Sequence, residues 1–259
     1  MERKLDFNFS HVFNGIVWNS VVSGDGSTLV LEIRDGEHKK VSFAALDVKE
    51  NKWLWQNKVS EELWWVNLNS VFSDYVLLTI YTETNNPDKK GILVYDLATF
   101  TLCWWNNDFS MTGVVNDFVF GMSSKYGARE VILDLKSGKE VEGGDKTATN
   151  SFGVLRPQQY HEGSDYFNTV KIFLEKKLNL QALSSLEYME HNGLVFISFY
   201  TEVQGLANDL IVLSAMGNVV LHEKMSDHLK GIGWDTFFIL SGCVFFVRNK
   251  VELVSYKIV

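Results

Sequence analysis

The chain has 259 residues, 46% of them hydrophobic and 14% aromatic, with eight Trp, so it can bury one large core. Its net charge of −8 argues against nucleic acid as a partner, because phosphate binding needs clustered Lys and Arg. With two Pro and no low-complexity run, no linker divides residues 1–259, which read as a single domain.

Leu5 to Phe9 alternates with the period of a strand. Gly15 to Val22 and Thr28 to Arg34 follow as strands, separated by the turn cluster Ser23-Gly24-Asp25-Gly26-Ser27. After the hairpin signal Asp35-Gly36 comes Val41 to Gln56, V-S-F-A-A-L-D-V-K-E-N-K-W-L-W-Q. It reads as an apolar strand ending at Leu46-Asp47, a polar turn, and a strand opening with Trp53. The second unit has strands over Trp65 to Phe72, Tyr75 to Tyr81, Gly91 to Asp96 and Thr101 to Trp105. The third has Met111 to Val115, Phe118 to Met122, Glu130 to Asp134 and Lys139 to Val141.

The fourth unit is irregular. Phe152 to Leu155, Gln158 to His161 and Tyr166 to Leu174 read as strands, the last two around the turn Glu162-Gly163-Ser164-Asp165. The alternative is a helix over Leu174 to Leu186, since Leu174, Leu178, Ala182 and Leu186 recur at i, i+4. The fifth unit has Leu186 to Met189, Leu194 to Tyr200, Asp209 to Leu213 and Val219 to His222. The sixth has Trp234 to Leu240, Cys243 to Arg248 and Val251 to Ile258. Continuous apolar runs such as L-V-F-I-S-F-Y suit strands covered on both faces.

One sentence recurs along the chain: apolar strand, small acceptor, tight turn, short strand. Asp47 is followed by Asp96 after 49 residues and Asp134 after 38 more. Ser214 lies another 80 on, twice the period, which places a unit near Leu174; Ser255 follows 41 residues later. Asp or Ser at this point accepts a backbone N–H two residues on and closes the turn. Six units of about 40–45 residues with about four strands each are the signature of a β-propeller. The pattern resembles the blade repeat of quinoprotein-like and WD-type propellers, and length and pattern are similar to uncharacterised propellers of Bacteroidetes type. The resemblance implies an all-β six-bladed propeller, with five or seven blades as alternatives. Leu5 to Phe9 is expected to close it by pairing with Val251 to Ile258, burying Leu5, Phe7 and Phe9.

Quinoprotein enzymes are exported and larger, and hold quinone and calcium at the axis; the resemblance here implies shape without that chemistry, and no cofactor is expected. The start M-E-R-K-L-D-F-N-F-S lacks the apolar stretch of about 7–15 residues that marks a signal peptide. No run reaches the roughly 18 apolar residues of a membrane helix. Cys103 and Cys243 read as buried thiols, and a cytoplasmic, membrane-free monomer is expected.

No HExxH, CxxC or other metal-ligand spacing occurs among the six His and two Cys, so no metal site is expected. No nucleophile elbow, P-loop or dinucleotide fingerprint is present. On the strand map Asn19, Asn67, Asn69, Asn116, Glu187 and Asp235 fall on or beside innermost strands, where a ring of amides and carboxylates could bind a small polar ligand or hold water. His161, Glu162 and Asp165 gather a base and two carboxylates in one loop, the makings of a general acid–base site and equally of an ordinary turn. Trp53, Trp55, Trp64, Trp65, Trp104 and Trp105 either wedge between blades or, where exposed, form a binding surface. The expected function is non-catalytic binding or scaffolding of a protein partner. The alternatives are a hydrolase or lyase at the axial pocket and a carbohydrate-binding module using exposed Trp.

Overall fold

Strands follow one another with short turns along almost the whole chain. The computed structural model describes residues 3–125, 127–143, 153–202 and 204–259. In chain order, β1 (Leu5–Val12) precedes a first meander of β2 (Ile16–Val22), β3 (Thr28–Asp35), β4 (Lys40–Asp47) and β5 (Lys52–Lys58). A second meander comprises β6 (Val66–Phe72), β7 (Tyr75–Tyr81), β8 (Lys90–Asp96) and β9 (Leu102–Asn106). A third has β10 (Phe109–Val115), β11 (Phe118–Ser123) and β12 (Arg129–Asp134). Two short strands, β13 (Val154–Leu155) and β14 (Gln158–His161), lead into helix α1 (Asp165–Phe173) and a π-helical turn, Leu174–Leu178. The chain continues through β15 (Leu183–His191), β16 (Leu194–Glu202), β17 (Leu206–Ser214) and β18 (Val219–Leu229). It finishes with β19 (Phe237–Leu240), β20 (Cys243–Arg248) and β21 (Glu252–Ile258).

Contacts divide the chain into two compact units, Asn14–Gly153 and Met1–Phe13 with Val154–Val259. The 14–153 unit holds the first three meanders, each a blade repeat of β-propeller type in which consecutive strands pair antiparallel. The first two blades share a core that includes Val30, Phe43, Trp55, Val66, Leu78 and Tyr95. The second and third share Leu77, Val94, Trp104, Phe109, Val119 and Leu133. Leu77 and Leu78 therefore serve opposite cores, which is why β7 reads as a continuous apolar run.

The recurring Asp closes its turn as a local device. The carboxylates of Asp47, Asp96 and Asp134 accept the backbone N–H of Glu50, Thr99 and Ser137, at 2.9, 2.8 and 2.8 Å. The bond reaches three residues on, one further than expected. The next residue, Asn51, Phe100 or Gly138, has positive φ and returns the chain to the sheet. Tryptophans lock these turns to the preceding blade. Trp55 Nε1 donates to the Leu97 carbonyl at 2.7 Å, and Trp104 Nε1 to that of Leu135 at 2.8 Å. These two indoles are wedged between blades, as the blander expectation had it.

In the other unit, β14-β15-β16-β17-β18 form one sheet and β1-β21-β20-β19-β13 the second. They meet through Phe196, Leu210, Val212, Phe237, Val244 and Phe246. Helix α1 and the π-helical turn cover the other face of the first sheet, packing Phe167 and Val170 of the helix and Leu174 of the turn against Leu186, Ile197 and Phe199. β1 does pair with β21, from Leu5 opposite Ile258 to Val12 opposite Glu252. A bulge at Asn8 changes which side chains point inward: Leu5 packs on the core and Phe9 meets Phe245 edge-on, but Phe7 is 60% exposed.

Five antiparallel sheets form among the described residues where six units are expected. The missing one is the fourth. Tyr166 to Leu174, expected as a strand, is helical, because Ser164 caps Phe167 N and Asp165 sits in the first turn. Neither does the alternative helix over Leu174 to Leu186 form in that register: Leu183–His191 is a strand. Of the segment Phe152 to Leu155, Phe152 lies outside the described residues. Val154–Leu155 joins the last sheet and Gln158–His161 the sheet before it, so neither builds a sheet of its own. Ser255, expected at a turn, is buried in mid-strand. Cys243 is buried as expected, but Cys103 is exposed, since it lies on the outer strand β9 where alternate residues face solvent.

Candidate functional site

A convergence of aromatic and charged side chains lies on the 14–153 unit, at the start of β2 and β6. Trp18 is the extra residue of a bulge in β2: Val17 pairs with Ile33, Asn19 with Glu32, and Trp18 has no opposite. Bulges re-aim side chains beside functional sites, and the Trp18 indole is 64% exposed. Beneath it lies the Arg34 guanidinium, 5.4 Å from the ring centroid and 5.2 Å from the ring of Trp64. The Lys39 ammonium lies 4.8 Å from the same Trp64 ring. The order Trp18–Arg34–Trp64–Lys39 alternates ring and cation.

Arg34 is held rigidly. Its Nε donates to buried Glu32 at 2.6 Å, and its Nη2 to the Val66 carbonyl and Asn67 Oδ1, each at 2.6 Å. The other Glu32 oxygen accepts Leu68 N–H at 2.6 Å, so one carboxylate ties β3 to β6. Asn67 Nδ2 donates to the Tyr81 hydroxyl at 3.2 Å. Glu62 Oε1 takes the backbone N–H of both Trp64 and Trp65 at 2.9 Å and fixes the entry to β6. Ile16, two residues before Trp18, and Leu63 and Trp65, the neighbours of Trp64 in the chain, are exposed.

The residues singled out from the sequence fall in several places. Asn19 lies one position past the bulge, its Nδ2 donating to the Leu68 carbonyl at 2.9 Å. Asn69 is itself the bulge residue of β6, the counterpart of Trp18, and donates to Thr79 at 3.0 Å. Asn116 occupies the hairpin turn between β10 and β11 at φ 52°. Glu187 and Asp235 meet in the other unit. There Glu187 is almost fully buried and accepts Asp235 N–H at 2.5 Å, Thr236 N–H at 3.0 Å and the Thr236 hydroxyl at 2.5 Å. It anchors the loop carrying exposed Trp234, and Arg156 pairs with Asp235 at 3.0 Å. Gln159, on β14, is the cross-strand partner of Glu187, with its Oε1 buried and unpartnered among the described residues.

His161, Glu162 and Asp165 are spread over the entry to helix α1. His161 ends β14, its ring edge-on to Trp234 at 6.2 Å. The Glu162 carboxylate takes Ser184 N–H at 3.3 Å and lies 3.7 Å from Lys171. Asp165 opens the helix. The turn composition noted in the sequence thus marks a helix start. Trp18 was not singled out, and the sequence carries no signal for it, because a bulge depends on the partner strand.

Burial raises the Glu187 carboxyl above its ordinary value of 4.5, against the opposing hydrogen bonds from Thr236 and Asp235. The folded state then holds more protons than the unfolded one, so this group makes stability fall as pH rises from 4.5 through the raised value. Glu187→Gln is expected to flatten the pH dependence of denaturant midpoints across that window. Glu187→Ala, which leaves the Asp235 and Thr236 N–H groups without their acceptor, is expected to cost about 2–4 kcal/mol at neutral pH. Unchanged midpoint profiles in Glu187→Gln would refute the titration.

A family model described as Domain of unknown function (DUF4905) matches residues 22–104, which include most of the first two blades. No curated protein matches. Among solved structures the chain is similar to BamB from Moraxella catarrhalis at 10% identity, with 97% of this chain and 91% of that one covered and a TM-score of 0.36. It is similar to a member of the DUF4221 family from Bacteroides vulgatus at 10% identity, covering 100% and 99%, TM-score 0.38. It is also similar to the β-propeller domain of the Trilobed protease from Pyrococcus furiosus at 11% identity, covering 91% and 64%, TM-score 0.32.

Proposed function

We propose that the chain is a non-catalytic binding protein that engages a polypeptide partner through the aromatic face around Trp18 and Trp65. The observation that carries this reading is an exposed indole, re-aimed by a bulge and backed by an immobilised arginine. Interaction hot spots are rich in Trp, Tyr and Arg, and a ring already held in place loses little freedom on binding. The flanking apolar surface of Ile16 and Leu63 favours a protein contact. A sugar site would need free hydrogen-bonding groups around the ring, and Asn67 and the Arg34 Nη2 are committed to other partners. The loop of His161, Glu162 and Asp165 is likewise occupied in starting a helix, which weighs against acid–base catalysis there.

The test is cross-linking in the source cell followed by mass spectrometry. Trp18→Ala with Trp65→Ala is expected to reduce cross-links to a specific partner at least tenfold, while Trp105→Ala, exposed on the outer strand β9, leaves them intact. Equal cross-linking by all three proteins would remove the reading.

A further inference from the structure

We infer that the partner presents an arginine or lysine side chain that stacks on the open face of Trp18 and extends the ring–cation series by one member. The inference rests on reading this face as the partner site. Its physical basis is the neighbouring indole. Trp64 already has two cations against its ring, Arg34 at 5.2 Å and Lys39 at 4.8 Å. Among the described residues Trp18 has one, Arg34 at 5.4 Å, and it is 64% exposed. Indole is the strongest of the side-chain rings for a cation lying within about 6 Å of its centroid.

Repulsion from Arg34 does not forbid a second cation. Its charge is offset by the fully buried Glu32 carboxylate 2.6 Å away, so the incoming group meets a nearly neutral pair behind the ring. The bulge at Trp18 leaves the ring outside the β2–β3 ladder, where the approaching side chain needs no change in the sheet. At long range, the chain's net charge of −8 draws a basic segment towards it. Arginine fits better than lysine, because its planar guanidinium stacks on an aromatic face and is less strongly hydrated.

Hexa-arginine, hexa-lysine and hexa-glutamate peptides provide the probes, titrated by calorimetry in about 0.15 M salt, where charges more than about 8 Å apart are largely screened. Hexa-arginine is expected to bind the unaltered protein more tightly than hexa-lysine, with no binding of hexa-glutamate. Trp18→Ala is expected to weaken hexa-arginine by about 3- to 30-fold, and Trp18→Phe by less. Thermal melts of both variants check that the fold is kept. Equal affinity of hexa-arginine for the unaltered and Trp18→Ala proteins overturns the inference, as does Trp18-dependent binding of hexa-glutamate. If Trp18-dependent cross-links persist in either case, the partner face stands and only its cation is wrong; if they vanish too, both readings fall.

Discussion

A chain lacking residues 1–12 is expected to melt about 6–24 °C below the full chain, or to aggregate. β1 is the outer strand of its sheet, registered on β21 from Leu5 to Val12. Its removal takes away the half-buried Leu5 and Phe9 side chains, worth roughly 1 kcal/mol each at half of full burial. It also removes ladder hydrogen bonds that contribute about 0.5–1.5 kcal/mol apiece. A total of roughly 3–6 kcal/mol shifts the melting temperature by about 2–4 °C per kcal/mol in a chain of this size. The stripped β21 would present an unpaired edge to other molecules, which is the route to aggregation. Single substitutions locate the effect. Leu5→Ser should be destabilising, and Phe7→Ser, at a residue 60% exposed, should cost only the edge-on contact of its ring with Tyr256, about 0.5–1.5 kcal/mol. A truncated chain that stays soluble and melts within about 2 °C of the full one would show that β1 adds nothing.

The second large effect is expected at Gly138. This residue occupies the left-handed position of the Asp134 turn at φ 67°, and an added Cβ would meet the Trp104 ring at 2.5 Å. Two penalties combine in Gly138→Ala: about 1–2 kcal/mol for an L-residue in that conformation, and about 1–3 kcal/mol for overpacking. The indole cannot easily withdraw, since its Nε1 is bonded to the Leu135 carbonyl in the same turn. A loss of about 2–5 kcal/mol in denaturant unfolding is expected. Gly36→Ala is the control, because nothing lies within 4 Å of its Cβ position and its φ is not positive. If both variants unfold at the same denaturant concentration, the Trp104 clasp does not constrain the turn. The second blade shows a different solution. Phe100 holds the same turn position at φ 55°, stacked on Tyr95 at 4.4 Å and against Trp55 at 4.7 Å. The turn tolerates a bulky residue there only because the preceding indole sits on its ring instead of on the backbone.

The acidic turns and the buried acid respond to pH in opposite senses. Hydrogen bonds from Thr99 and Ser137 lower the carboxyls of Asp96 and Asp134. Those turns lose their contribution as pH falls through the depressed values, while Glu187 lowers stability as pH rises. Measured in the Glu187→Gln background, the residual acid-side loss would belong to these turns together with Asp25, Asp35 and Glu140, whose carboxyls are lowered as well.

What the sequence by itself determined is what a few consecutive residues can settle. The Asp47, Asp96 and Asp134 turns close within five residues, so composition sufficed to find them. Strand content followed from that repeat, and the alternation of Leu5 to Phe9 marked it as a strand to pair with the last one; which tryptophans wedge between blades, Trp55 and Trp104, and which stay exposed, Trp65 and Trp105, was left to the fold. The tertiary structure decided whatever depends on residues far apart in the chain. Tyr166 to Leu174 alternates well enough for a strand, yet Ser164 caps it and its apolar side chains find β15 and β16 at helical spacing. Glu187 and Asp235, 48 residues apart, were singled out together, but only folding turns one into the anchor of the other's backbone. Asn116 was placed with them on strand order alone, and a two-residue hairpin took it elsewhere. Trp18 shows the limit most plainly. Its exposure comes from one unpaired residue in the β2–β3 ladder, and a ladder's register belongs to two strands at once.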